Sequence, residues 1–454
     1  MRMSAVLSLV MLTACIPDAA DVSMNRARLA FAPAVELPPA IQSFGTRRGD
    51  APQRSNATIA RDFMELSFQM ESGRQIARFS RFEGPITVRL AGQVPQSAAT
   101  DSARLLARLR GEAGIDIRET AAADANVTIE FVPRERIRTT YANVACFVIP
   151  RVSGWAEFVA NRNAPLTDWT TLARRERISI FIPSDGSAQE ARDCLHEELA
   201  QAIGPLNDLY RLSDSVFNDD NFHNTLTGFD MLILRAYYAP DLRSGMSPEE
   251  VARLLPGILD RLNPAGRGGA AAPTPTPRVW TNQIEVAIGS RASVAAREAA
   301  ARQAVGIARA QGWQDGRLAL SLFALGRLTL ARDPSVSLPA LQEARRIWGG
   351  LPGGQVHAAH VDMQLAAHAL TRGDHATATR LIDLAIPAVA RAENAALMAT
   401  LLMMKAEAAD GMGRAIEAQA LRLDSTGWAR YGFGSDDQVR ARAQEIAALA
   451  RRRL

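Results

Sequence analysis

Lysine is almost missing from this sequence: Lys405 stands alone among 52 Lys and Arg residues in a chain of 454. Arginine used in its place throughout, with abundant alanine, records genome base composition more often than function. The formal charge is only +4, and the arginine clusters at Arg174-Arg175 and Arg451-Arg452-Arg453 have no aromatics between them. A nucleic-acid platform needs a basic track with stacking side chains, so nucleic acid is excluded as the main partner. No apolar run is long enough for a transmembrane helix. No Ser-His-Asp arrangement, phosphate-cradling glycine loop or Walker-type sequence is present either. Cysteine occurs three times, which rules out a disulfide-dense scaffold and leaves each cysteine to be accounted for.

Cys15 closes the sequence MRMSAVLSLVMLTAC, one early cation followed by a short apolar run and then Leu12-Thr13-Ala14-Cys15. The run reads as the core of a signal peptide. Its ending looks like a bacterial lipobox, in which Cys15 is acylated; an ordinary secretory signal is the alternative. The expected location is the cell envelope, lipid-anchored and facing the periplasm, and Ile16 in place of Asp favours the outer membrane. The membrane is therefore an expected partner through the lipid. Cys146 and Cys194 then remain as one pair in an oxidising compartment, and a disulfide between them would pin a helix against a sheet. Two buried thiols that never meet are the alternative.

Residues 16–56 have no sustained period and read as a tether. From 57 to 262 the pattern is α+β. A helix is expected over Ala57–Met70 and another over Ser102–Gly114, with short β-rich runs at Ile86–Leu90, Val127–Val132, Val144–Ile149 and Ile178–Ile182. Ser247-Pro248-Glu249-Glu250 is a capping box with Pro at the first helical position. Residues 263–279, rich in Gly and Ala and then in Thr-Pro, read as a linker. From 280 to 454 the chain is Ala- and Leu-rich with no strand signal. Helical patterns begin at about Val294 and end at about Leu423, broken at Pro334, Gly349-Gly350, Gly373 and Gly411. The stretches around Gly373 and Gly413 are alike, though the spacing elsewhere looks irregular. The expectation is an all-α, tetratricopeptide-like helical array serving protein contacts.

The stretch from Cys194 to Met246 carries the chemistry. Leu195, Leu199, Ala202 and Ile203 recur at helical spacing, Gly204-Pro205 ends the helix, and Thr227 caps a second helix with Asp230. This order resembles the catalytic half of a metzincin-type zinc peptidase, whose H-E-x-x-H motif sets two imidazoles one turn apart on a helix. The register starting at His196-Glu197 puts Ala200 at the second ligand. The register one residue later reads Glu197-Glu198-x-x-Gln201-x-x-Gly204-x-x-Asn207, which keeps the spacing but replaces every imidazole with an oxygen-bearing side chain. The resemblance implies a zincin-like domain with degenerate ligands.

A wider resemblance runs from about Asn56 to Met246. It rests on Arg81-Phe82-Glu83-Gly84-Pro85-Ile86-Thr87-Val88, Cys194-x-x-Glu197-Glu198, Gln201-Ala202-x-Gly204-Pro205-x-Asn207-Asp208, Ser215-Val216-Phe217-Asn218 and Leu226-Thr227-x-Phe229-Asp230. These residues are similar to a bacterial family known as domain of unknown function 2927, whose members are often assigned as lipoproteins. The family brings no activity with it.

Two functions follow as expectations. The first is an envelope lipoprotein with a catalytically degenerate zincin-like domain, binding or scaffolding proteins through the helical array and the zincin-like cleft, with no cofactor. The second is a metal-dependent envelope peptidase in which Glu198 is the general base and Glu197, Gln201 and Asn207 hold a divalent cation; oxygen donors of this kind suit Ca²⁺, Mg²⁺ or Mn²⁺ better than zinc. His196 is expected to be solvent-facing or hydrogen-bonded. His357, His360, His368 and His375 are expected on the surface or in a groove of the array.

Overall fold

The computed structural model describes residues 49–142, 144–269 and 275–451. Cys15, the signal segment and nearly all of the expected tether lie outside them. Within these bounds an N-terminal α/β unit with a mixed five-stranded sheet is followed by an all-helical region.

The sheet is built from β1 (Ile86–Gly92), β2 (Ile117–Glu119), β3 (Val127–Val132), β4 (Phe147–Pro150) and β5 (Ile178–Pro183), in the order β2-β1-β3-β5-β4. All neighbours are parallel except β4, which runs antiparallel to β5 at one edge. The central strands read VTIEFV and ISIFIP because parallel strands are covered on both faces and bury nearly every side chain. One face carries α1 (Asn56–Phe68), α2 (Gln96–Ala113) and α5 (Ala188–Ile203) over the main core of the unit. The other face is covered by α3 (Arg134–Thr140) and α4 (Trp155–Asn161), where Phe147, Phe158, Phe181 and Trp155 pack edge to face and tilted against one another. The fourth strand begins at Phe147 rather than at Val144, since Cys146 turns toward α5 to bond Cys194.

Next come α6 (Gly228–Tyr237) and α7 (Pro248–Leu262), both opened by the capping boxes read from the sequence, Thr227 with Asp230 and Ser247 with Glu250. The helical region comprises α8 (Arg278–Ile288), α9 (Val294–Ala310), α10 (Gly316–Thr329), α11 (Pro334–Gly349), α12 (Gln355–Thr371), α13 (His375–Arg391), α14 (Ala395–Gly411), α15 (Ala415–Phe433) and α16 (Asp436–Arg451). Pro334 proves to be a start rather than a break: it occupies the first turn of α11, where its missing N–H costs nothing. The last of these helices carries too few apolar anchors to show a period, since α16 buries only Arg442 and Ile446; α8 buries Trp280, Ile284 and Ala287 at helical spacing, a period the sequence reading passes over. No helix among the described residues is long and apolar enough to cross a membrane.

The spacing of the array is regular, contrary to the expectation from sequence. Helices α9, α11, α13 and α15 begin at 294, 334, 375 and 415, and α10, α12 and α14 at 316, 355 and 395. The unit is therefore an antiparallel helix pair of about 40 residues, each packed on the next. Gly373 and Gly413, with φ of 72° and 74°, occupy the same point in successive units, a left-handed turn that side chains rarely adopt.

The two halves do not keep separate cores. Tyr210 and Phe222, both in the loop between α5 and α6, belong to the core of the helical region. The Phe222 ring lies 4.6 Å from His357, 4.6 Å from His360, 5.5 Å from Trp348 and 5.6 Å from Phe323. Tyr210 meets Trp280 edge-on at 5.5 Å.

Candidate functional site

Helix α5 organises the site. Ser187 caps its start by accepting from the Glu190 N–H. At its other end Arg175 donates to the Gln201 and Ala202 carbonyls, both at 2.8 Å, so a buried cation satisfies carbonyls that a helix terminus leaves orphaned. Arg175 also reaches Tyr237, whose hydroxyl donates to the Ser80 carbonyl, while the Tyr238 hydroxyl donates to the Ile203 carbonyl. The paired tyrosines of α6 thus lock the C-terminal end of α5. Gly204 ends the helix for a reason other than left-handed geometry: its φ is −132°, and a Cβ there would stand 2.6 Å from a methyl of Leu234.

The disulfide between Cys146 and Cys194 is formed, across a sequence separation of 48. It ties the entrance of β4 to the middle of α5, as the sequence implied.

The candidate ligands are placed as follows. Ala200 is fully buried, so the register from His196 has no second donor. The His196 Nδ1 accepts from the Leu226 N–H at 3.1 Å, and burial, with Arg192 and Arg108 nearby, holds its pKa well below the ordinary value. It is a neutral ring bracing the loop before α6, buried rather than solvent-facing. The Asn207 amide donates to the Glu65 carbonyl at 3.0 Å, and the Gln201 amide points its nitrogen at Asp208, 3.5 Å away. Both side chains serve the join between α5, α1 and the following loop. Among the described residues no group of three or more His, Cys, Asp or Glu is arranged to hold a metal ion. Amide nitrogens turned toward carbonyl and carboxylate oxygens, together with Ala200, do not make a zinc donor set.

Instead the structure gathers carboxylates. Burial pushes Glu198 well above the usual carboxylate range, and Glu197 beside it adds to the shift. Glu197 is raised by burial and by Asp208, Asp219 and Asp193. Glu71 and Asp208, which share a hydrogen bond, are both raised, again first by burial. Asp219 is pushed up to about 7 by burial, against the pull of the Tyr210 hydroxyl that donates to it at 2.5 Å. The sequence pattern points to Glu197 and Glu198, carries Asp208 only within the family resemblance, and gives no signal for Glu71 or Asp219. Those two lie in loops with no helical or strand period to place them against α5.

The helical region closes over this floor. Gln189 of α5 donates to Asn394 and accepts from the Ala396 N–H; Arg192 donates to the Glu393 carbonyl; Asn394 continues through Asn224 to Asp193. Tyr431 donates to Asp101 of α2. His357 pairs with Asp220 at 2.9 Å, and the His223 Nε2 lies within hydrogen-bond reach of the Ser213 and Gly353 carbonyls. His357 and His360 are thus buried at the junction rather than on a surface or in an open groove. Neither was expected to meet the first domain, because nothing in a single helix pattern says what faces it.

An α/β unit whose central helix is disulfide-tethered and closed over by a helical array is the class defined by these observations. Residues 56–257 match the model of a family described as a protein of unknown function (DUF2927), which bears out the family resemblance over that segment. No curated protein and no solved structure matches the chain.

Proposed function

We propose that this is a lipid-anchored protein of the bacterial cell envelope whose first domain is a catalytically degenerate, zincin-like binding unit. The observation that carries the reading is the fate of the three ligand positions: Ala200 in one register, and in the other Gln201 and Asn207, whose amides are spent on Asp208 and Glu65. The order strand, helix, strands and then α5, with the antiparallel edge strand β4, supports the zincin-like comparison. Cys15 after its short apolar run supports lipidation and a periplasm-facing location, with the outer membrane favoured. Formation of the disulfide agrees with an oxidising compartment. The helical array supports a role in protein contacts, since stacked helix pairs present extended surfaces.

The rival is a metal-dependent peptidase with Glu198 as general base, and one observation favours it: the Glu198 Oε2 is buried without a hydrogen-bond partner. The two are separated by the metal content of the purified protein and by peptide cleavage. The degenerate reading expects no stoichiometric metal, no cleavage and a Glu198→Gln variant that keeps the cellular role. One tightly held metal per chain, with cleavage abolished by Glu198→Gln, would overturn it.

A further inference from the structure

A cavity of about 490 Å³ lies at the junction of the two halves, a size usual for small-molecule sites. One wall is the face of α5 that carries Asp193, Cys194 and Glu197, pinned by the disulfide to Cys146. The facing wall comes from the array: His360 of α12, Asn394 before α14, and Phe433 at the end of α15. Most charged groups in the lining are spent on one another. Arg134 donates to both oxygens of Glu190 at 2.7 and 2.6 Å, Arg442 to Glu445 at 3.0 Å, and Asp220 pairs with His357 at 2.9 Å. The Asp185 carboxylate accepts from the Arg134 N–H, and Arg138 is exposed at the rim. Asp193 accepts from the Asn224 amide, but its Oδ1 has no hydrogen bond, with Arg192 standing 3.7 Å away.

His360 is different. It is 2% exposed, and neither its Nδ1 nor its Nε2 has a hydrogen-bond partner in the protein. Its ring lies 4.6 Å from that of Phe222, while His357 is turned to Asp220 and His223 to the Ser213 and Gly353 carbonyls. Burying a polar ring without partners is costly, so one that lines a cavity is complementary to a ligand supplying both a donor and an acceptor.

From the cavity and this unpartnered imidazole we infer that the junction binds an uncharged, hydroxyl-rich ligand, a saccharide. Hydroxyl groups donate and accept at once, and so do the groups that face them. Burial, then His357 and His223, hold His360 down to about 3, so near neutrality one ring nitrogen donates and the other accepts. Burial pushes Asp193 up to about 7 against Arg192, Asn224 and Gln189, and burial with acidic neighbours holds Glu197 well above the usual range. Their carboxyl groups therefore keep protons to donate. Asn224 and Asn394 each retain a second amide N–H beyond the one given to Asp193 and to Asn224. The half-buried Phe433 ring adds an apolar face for the C–H side of a sugar ring. An anion would meet Asp193 and Glu197 while Arg134 and Arg442 are engaged elsewhere. A metal ion would find no three suitable ligands together among the described residues. The site uses none of Glu198, Gln201 and Asn207, so it goes beyond the reading above and is tested apart from metal content and cleavage.

The experiment is calorimetric titration of the purified full chain at pH 7.5 with diacetylchitobiose, maltose and tri-alanine. The expected result is saturable binding of a sugar, weakened about tenfold or more by His360→Leu and by Glu197→Ala. Tighter binding of diacetylchitobiose would assign an acetamido sugar, and tighter binding of maltose a plain hexose. His360→Leu removes an unpartnered buried polar ring and Glu197→Ala one of several mutually repelling acids, so the melting temperature should hold or rise in both; if one fails to fold, the other decides. Absence of binding of both sugars at about 1 mM, the outcome if only solvent meets His360, overturns the inference. So does sugar binding that the variants leave unchanged, or tri-alanine binding tighter than either sugar.

Discussion

Phe222 offers the sharpest test of how the two halves are joined. It sits in an Asn- and Asp-rich loop, where a solvent-exposed residue changes stability by no more than about 0.5 kcal/mol when truncated. In the structure its ring is 2% exposed and enclosed by Phe323, Trp348, His357 and His360. The loop is preformed to present it: the Asn218 amide donates to the Leu212 carbonyl and to Asp220, and Asp220 accepts from the Phe222 N–H. Truncating a buried phenylalanine to alanine costs the transfer of the ring plus the cavity it leaves, about 3–5 kcal/mol. Phe222→Ala should therefore lower the unfolding free energy of the full chain, measured by urea denaturation, by that amount, with Phe222→Leu in between. Combined with Trp348→Ala, the losses should fall short of additivity by about 0.5–3 kcal/mol, because the two rings share one cavity. A loss below about 1 kcal/mol for Phe222→Ala would mean that the loop is not seated in the helical core.

Reducing the Cys146–Cys194 disulfide, which closes a loop of 48 residues, should destabilise the first domain by about 4 kcal/mol on the loop-entropy relation; denaturation with and without reductant measures it, and thiol titration of the unfolded, unreduced protein should find no thiol at these two positions. Gly204→Ala should cost about 1–3 kcal/mol, since the new methyl would press on Leu234 at 2.6 Å and the Ala200 carbonyl at 2.9 Å; an unchanged midpoint would refute the close approach. His360 is held down to about 3, first by burial and then by His357 and His223, against an ordinary 6.5. A base depressed in the folded state costs nothing above its ordinary value and loses stability as pH falls from 6.5 toward 3. His360→Leu should therefore gain on the wild type by about 2 kcal/mol more at pH 5 than at pH 7.5, and a gain independent of pH would refute this. Asp219, raised to about 7 from 3.8, has the opposite sign: its stabilising contribution is complete below 3.8 and is lost as pH rises to 7, so Asp219→Asn should gain most at the upper end.

Local features were legible in the sequence because they are encoded locally. The caps at Thr227 and Ser247, the buried runs of β3 and β5 and the helix through Cys194 each follow from side-chain chemistry within a few residues. The regular step of about 40 was harder to see, since Pro334 reads as a breaker unless its place at the start of α11 is known. The carboxylate floor was only half legible. Glu197 and Glu198 lie on a periodic helix, whereas Glu71 and Asp219 reach the same place from irregular loops. The burial of His357 and His360 was beyond reach altogether: α12 is buried nearly all round, its polar residues included, and its sequence shows no single apolar stripe to reveal which face meets the array and which meets another domain.

The array is seated on α5 at the turn between α13 and α14. Gln189 and Arg192 of α5 bond to Asn394, Ala396 and Glu393, and Glu393 itself adopts a left-handed φ of 54°, uncommon for a side chain other than glycine. Backbone strain of that kind persists where surrounding contacts over-determine it. Here the contacts are those that seat the turn between α13 and α14 on α5. The Phe222 ring, seated in the core of the helical region, is a second and separate join, so the array is held to the first unit at two places.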